Sequence, residues 1–71
     1  MTCKEIGGNI LQLRRQKKMK QKDIAILLGV SNRAVSKWES GKSYPNMEHI
    51  AELAKIFGVS VDYIMRGEID N

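Results

Sequence analysis

Gln21-Lys22-Asp23-Ile24-Ala25-Ile26-Leu27-Leu28-Gly29-Val30-Ser31-Asn32-Arg33-Ala34-Val35-Ser36-Lys37-Trp38-Glu39-Ser40 is the stretch on which the fold turns. Ile24, Ala25 and Leu28 share one face at helical spacing, which predicts a helix over 21–28. Gly29 follows, where a tight turn can take positive φ. A second helix over 32–39 puts Ala34, Val35 and Trp38 on one side at about 100° per residue. Asn32, Arg33, Ser36 and Lys37 fall on the other side, and none of them is an acid; Glu39 lies at the edge. Two helices joined by so short a turn must pass close together. Small Ala25 permits that approach, with Val35 packing back toward it and Ile24, Leu28 and Trp38 around the contact.

The rest of the chain continues the helical pattern, and strand signals are absent. Ile6, Ile10 and Leu13 form one stripe on a first helix, roughly 4–17. Met47, Ile50, Ala51, Leu53, Ala54 and Phe57 make a broad apolar face on a fourth, 47–57. Val61, Ile64 and Met65 mark a short fifth, 61–66. Met19, Met47 and Met65 are expected to pack in the core. Gly29, Gly41, Gly58 and Gly67 stand at helix ends, and Ser31, Asn46 and Ser60 are expected N-caps. Two places fit poorly. Gly7-Gly8 inside the first helix should cost about 1 kcal/mol each against alanine, which predicts a late start or a frayed end. Lys20 stands where the second helix needs a cap, and it opposes the helix dipole.

Seventy-one residues allow a single domain, 1–71, with a core over roughly 5–67. A formal net charge of +4 is unevenly spread. Arg14, Arg15, Lys17, Lys18, Lys20 and Lys22 crowd into residues 14–22 with no acid among them, while the acids gather from Glu39 onward. A basic run alone is usually a solvated helix end. Because this one adjoins the two-helix stretch, it points to a polyanionic partner. One cysteine, Cys3, permits no intrachain disulfide and fits a reducing compartment. No stretch approaches the ~20 apolar residues of a membrane span, and no signal-peptide pattern is present, so a cytoplasmic protein is expected.

At residues 6–67 the chain resembles the helix-turn-helix domain of the lambda/434 repressor and Cro class, the XRE family. The resemblance rests on Gln21, Ala25, Gly29, Val30-Ser31, Val35, Trp38-Glu39, Gly41, Pro45, Leu53-Ala54 and Gly58-Val59-Ser60-Val61-Asp62-Tyr63 at fixed spacing. It implies an all-α, compact five-helix lambda-repressor-like fold with the helix-turn-helix formed by helices 2 and 3. It further implies a sequence-specific DNA-binding transcriptional regulator, most simply a repressor, that binds a palindromic operator of double-stranded DNA as a homodimer.

Residue roles follow from the resemblance. Asn32, Arg33, Ser36 and Lys37 match positions that face base edges. Gln21, Lys20 and Lys22 lie at the start of the second helix, where a phosphate would be gripped. Lys42, Ser43 and Tyr44 match a loop that runs along the phosphate backbone. Arg14 and Glu39 match a pair that links helices 1 and 3, predicting a partly buried, structural salt bridge. Tyr63, Ile64, Met65 and Ile69 are candidate dimer contacts, the alternative being that Ile64 and its neighbours complete the monomer core.

Departures from the family pattern limit what transfers. Lys18 and Lys20 replace a glycine and a small hydroxyl residue common at the bend. Ile26 and Leu27 occupy positions where polar residues are frequent, which predicts that one or both are exposed and open to a partner. Asn32-Arg33 with Lys37 is not the glutamine set of the phage repressors, so no operator sequence carries over. Side-chain chemistry assigns Arg33 and Lys37 to guanines and Asn32 to an adenine, with a phosphate contact as the alternative for either cation.

No catalytic constellation is legible, so an enzyme is not expected. His49 lacks metal-ligand partners, the serines read as caps and polar contacts, and Gly7-Gly8 precedes no phosphate-loop lysine. Neither a cofactor nor a small-molecule ligand is indicated. Two rival functions share the fold: an antitoxin of a toxin–antitoxin pair, which needs a toxin-binding segment, and a protein-interaction module that has lost DNA binding. The acid-free face and the basic run favour DNA.

Overall fold

The computed structural model describes residues 2–67 and contains five helices among them: α1 (Cys3–Gln16), α2 (Gln21–Leu28), α3 (Asn32–Ser40), α4 (Met47–Phe57) and α5 (Val61–Arg66). α2, α4 and α5 cover the residues that apolar spacing predicts. α1 begins and ends one residue earlier than expected, and α3 ends one residue later. Helix starts are set by side-chain oxygens accepting backbone N–H groups: Thr2 from Glu5 at 3.1 Å, Ser31 from Ala34 at 3.1 Å, Asn46 from His49 at 2.8 Å and Ser60 from Tyr63 at 3.0 Å. Thr2 is a cap that the apolar pattern did not reveal.

α1 lies at the centre, packed against α3, α4 and α5, while α2 packs on α3 and α4. One core joins Ile6, Ile10 and Leu13 of α1 to Ile24 and Ala25, Val35 and Trp38, Ile50, Leu53, Ala54 and Phe57, and Ile64. Met19 and Met65 pack against its margin. Met47 does not: it is 60% exposed, which corrects its assignment to the core. It occupies the first turn of α4, beyond the point where other helices cover that face.

The two glycines of α1 also need correction. The helix starts at Cys3, ahead of both, and neither delays it. A Cβ on Gly7 would overlap the Trp38 carbonyl oxygen and lie 3.0 Å from that of Glu39. Gly7 therefore lets the backbone of α3 come against α1, and its propensity cost is the condition of that contact. A Cβ on Gly8 would meet nothing within 4 Å. Nothing in the structure explains Gly8.

Four helices end in the same way. After α1, Met19 N–H donates to Arg14 C=O and Lys18 N–H to Arg15 C=O, both at 3.0 Å. Equivalent bond pairs close α2, α3 and α4 around Gly29, Gly41 and Gly58. This paired closure is the Schellman motif, which needs a left-handed residue at its corner. Lys18, with φ 56°, fills that corner after α1 and is the only non-glycine with positive φ among the described residues. A side chain there costs about 1–2 kcal/mol.

α5 is tied to α1 by Asn9, whose amide nitrogen donates to Ile64 C=O at 2.8 Å. Ile64 is fully buried in this chain's own core and is unavailable to a second copy, which corrects its candidacy as a dimer contact. Tyr63 and Met65 are half-buried, and Ile69 lies outside the described residues.

Candidate nucleic-acid interface

The two-helix unit is built as its spacing requires. Gly29 takes φ 69°, and Val30 N–H donates to Ala25 C=O at 3.0 Å, turning the chain back into Ser31 and α3. Val35 is fully buried and Trp38 nearly so, which fixes the inner side of α3. Asn32, Arg33, Ser36 and Lys37 are all exposed on the outer side. Their side chains carry donors and two cations.

Glu39 does not compromise that face, because its carboxylate is turned inward. Arg14 grips it with two bonds, Nε to Oε2 at 2.6 Å and Nη2 to Oε1 at 3.0 Å. Arg14 Nη1 also donates to Met19 C=O at 2.9 Å. The side chains of Arg14 and Glu39 are only 14% and 5% exposed. The expected partly buried ion pair is thus present, in the bidentate form that is the strongest available to arginine and carboxylate. The hydrogen bonds to Glu39 push the Arg14 guanidinium above its ordinary pKa, against the opposing effect of burial.

Gln21 joins this network, its amide nitrogen donating to Glu39 Oε1 at 2.9 Å. Sequence reasoning placed Gln21 toward a phosphate and missed this inward bond. One carboxylate therefore holds three segments together: the end of α1, the start of α2 and α3.

Lys20 caps α2 poorly, as its side-chain chemistry requires. Asp23 compensates by accepting the Lys20 backbone N–H at 2.9 Å and placing a negative charge in the first turn. Lys20 and Lys22 are exposed beside it. After α3, Lys42 is exposed, Ser43 half-buried and Tyr44 54% exposed, while Pro45 is buried and anchors the loop. Tyr44 is pushed above its ordinary pKa, chiefly by a hydrogen bond with Cys3. That contact links the loop to the start of α1 and gives Cys3 a neighbour that sequence reasoning did not foresee. Ile26 and Leu27 are both exposed, at 69% and 59%.

Other chemistry finds little purchase. Among the described residues no three His, Cys, Asp or Glu side chains cluster as metal ligands. His49 instead lies against the Trp38 ring, with centroids 5.2 Å apart. A depression of about 390 Å³ over Gly8, Leu11, Gln12, Arg15 and Gln16 is formed by α1 alone. No helix among the described residues is long and apolar enough to cross a membrane.

Comparison with known proteins places this geometry. Residues 10–64 match the family model described as helix-turn-helix. The chain is 45% identical over 64 residues to the HTH-type transcriptional activator BcrR of Enterococcus faecalis, covering 90% of this chain and 31% of that protein. It is 33% identical over 69 residues to the repressor protein C2 of Salmonella phage P22, covering 97% and 32%. The chain thus spans about a third of the length of these relatives. Among solved structures, the P22 c2 repressor in complex with a synthetic operator superposes with a TM-score of 0.82 at 35% identity, covering 89% of this chain and 96% of that one. The solution structure of the same DNA-binding domain gives a TM-score of 0.85 at 33% identity, covering 99% and 92%.

Proposed function

We propose that this chain, which belongs to the XRE-type helix-turn-helix family, is a DNA-binding transcription regulator that reads double-stranded DNA with α3. The observation that carries this reading is the two-sided α3. Its inner residues are locked into the core, and its outer face offers Asn32, Arg33, Ser36 and Lys37 without an exposed acid. A helix so mounted can enter a major groove while the protein body stays outside it.

Arg33 and Lys37 suit guanine O6 and N7, and Asn32 suits adenine N6 and N7. Ser36 can bond either kind of edge. Lys20 and Lys22, with Gln21 and the N–H groups opening α2, would hold one phosphate, and Lys42, Ser43 and Tyr44 would follow the backbone beyond α3. Arg14 and Glu39 act by positioning, since both are turned away from the outer face. One such domain reads few base pairs, so a homodimer on half-sites about 34 Å apart would supply the specificity a regulator needs. Such a regulator would work in the cytoplasm. The named relatives include an activator and a repressor, and both outcomes are open to a protein that occupies a promoter.

Selection of bound duplexes from a random pool tests the proposal directly. An enriched, palindromic site with a fixed half-site spacing is the expected result. Binding without enrichment of any sequence, or affinity that does not fall with salt, would overturn it, because phosphate contacts must release counterions.

A further inference from the structure

The chain closes four helices with one motif and departs from glycine at a single corner. Gly29, Gly41 and Gly58 fill it after α2, α3 and α4, while Lys18 fills it after α1. The hydrogen bonding is the same in all four, so the backbone demand is the same. Glycine meets that demand without strain, and a lysine does not. Lys18 gives the fold little in return: it is exposed and forms no salt bridge among the described residues. The cationic end that suits the α1 dipole is already supplied by Arg14 and Arg15.

Its position is less arbitrary than its conformation. Lys18 stands two residues before Lys20, the residue that opens α2, so their Cα atoms lie within about 7 Å of each other. The left-handed corner turns the chain sharply at that point, and the Lys18 side chain leaves from the corner itself. Lys20 and Lys22, both exposed, follow it in the chain at the start of α2. Residues held in strained backbone tend to sit where function requires them.

We propose that Lys18 is a further contact to the DNA backbone, kept in a left-handed corner at the expense of the stability glycine would confer. This rests on the reading of the chain as a duplex-DNA binder. Stability and affinity then move in opposite directions at one residue. A lysine with no more than a solvent-exposed role would leave binding unchanged when replaced.

The test compares the unsubstituted chain with Lys18→Gly, Lys18→Gln and Lys18→Arg by thermal unfolding and by titration of a random-sequence duplex across a salt series. Lys18→Gly should raise the unfolding midpoint by about 4–16 °C in a domain of this size and weaken binding roughly three- to tenfold at low salt. It should also reduce the slope of log affinity against log salt by about 0.9. Lys18→Gln should show the same loss of slope without the gain in midpoint, and Lys18→Arg should retain the slope. Unchanged affinity and slope in Lys18→Gly and Lys18→Gln would overturn the contact. A lower midpoint in Lys18→Gly would overturn the claim of a stability cost. Failure of the unsubstituted chain to bind duplex DNA would overturn the reading beneath it, and Lys18's role with it.

Discussion

Gly7 and Gly8 are adjacent, lie in the same helix and invite the same substitution, yet the structure assigns them opposite responses. Replacing a helical glycine by alanine stabilises by about 1 kcal/mol through backbone entropy and propensity. Gly8→Ala should realise that gain, since the new Cβ meets no atom within 4 Å. Gly7→Ala has the same gain but drives its Cβ into the Trp38 carbonyl oxygen and to 3.0 Å from that of Glu39. Those atoms are backbone and cannot rotate aside, so α3 must shift away from α1. Overpacking of this kind costs about 1–3 kcal/mol or more, and a rigid obstacle belongs at the upper end. The net for Gly7→Ala is a loss of about 2 kcal/mol. For a 71-residue chain, 1 kcal/mol corresponds to roughly 4–8 °C. Calorimetric midpoints should therefore rise by about 4–8 °C for Gly8→Ala and fall by about 8–16 °C for Gly7→Ala. A shift in the same direction for both variants would refute the argument that Gly7 exists to admit the backbone of α3.

Three further predictions test the site. Glu39→Ala strands the Arg14 guanidinium and releases Gln21, so it should destabilise by about 3 kcal/mol or more in urea unfolding, whereas Arg14→Met with Glu39→Leu should recover most of that loss. Recovery absent in the double variant would mean that the pair does more than hold segments together. Arg33→Ala should cost about 1–3 kcal/mol of discrimination at one base pair of a selected site, and an equal loss across all sequences would reassign Arg33 to phosphate. Cys3→Ala removes the hydrogen bond that favours the neutral Tyr44 phenol, so Tyr44 should ionise at lower pH, closer to its ordinary 10.0. An NMR titration of the Tyr44 ring that is unchanged by the substitution would contradict the assigned cause.

Much of this is legible in the amino-acid sequence because its causes are local or periodic. Apolar spacing placed the five helices, and Ser31, Asn46 and Ser60 announced their caps. Ion pairing of Arg14 with Glu39 came from resemblance, and the geometry then supplied its bidentate form. What escaped depends on neighbours distant in sequence. Gly7 looked like a defect because nothing near it reveals the Trp38 carbonyl against it. Met47 satisfied the period of α4 but lies past the edge of what covers that helix. Ile64 fitted either a monomer core or a dimer surface until Asn9 and α1 were seen to enclose it. Gln21 was read outward only, since its tie to Glu39 spans a turn and a helix. Lys18 was marked only by standing where the family pattern has glycine, because no residue-level preference of lysine itself points to a left-handed corner.

The mounting of α3 has a consequence for how such a protein can change over time. Val35 and Trp38 hold the helix, and Gly41 ends it; none of them is among the four outward residues. Asn32, Arg33, Ser36 and Lys37 are exposed, and substitutions at such positions usually move stability by no more than about 0.5 kcal/mol. On the proposed reading, target preference and structural integrity are thus written in different letters of the same nine residues. If α3 reads DNA as proposed, a lineage carrying this scaffold can explore new binding sites at those four positions with little risk of unfolding, and a laboratory library randomised there should yield mostly folded members.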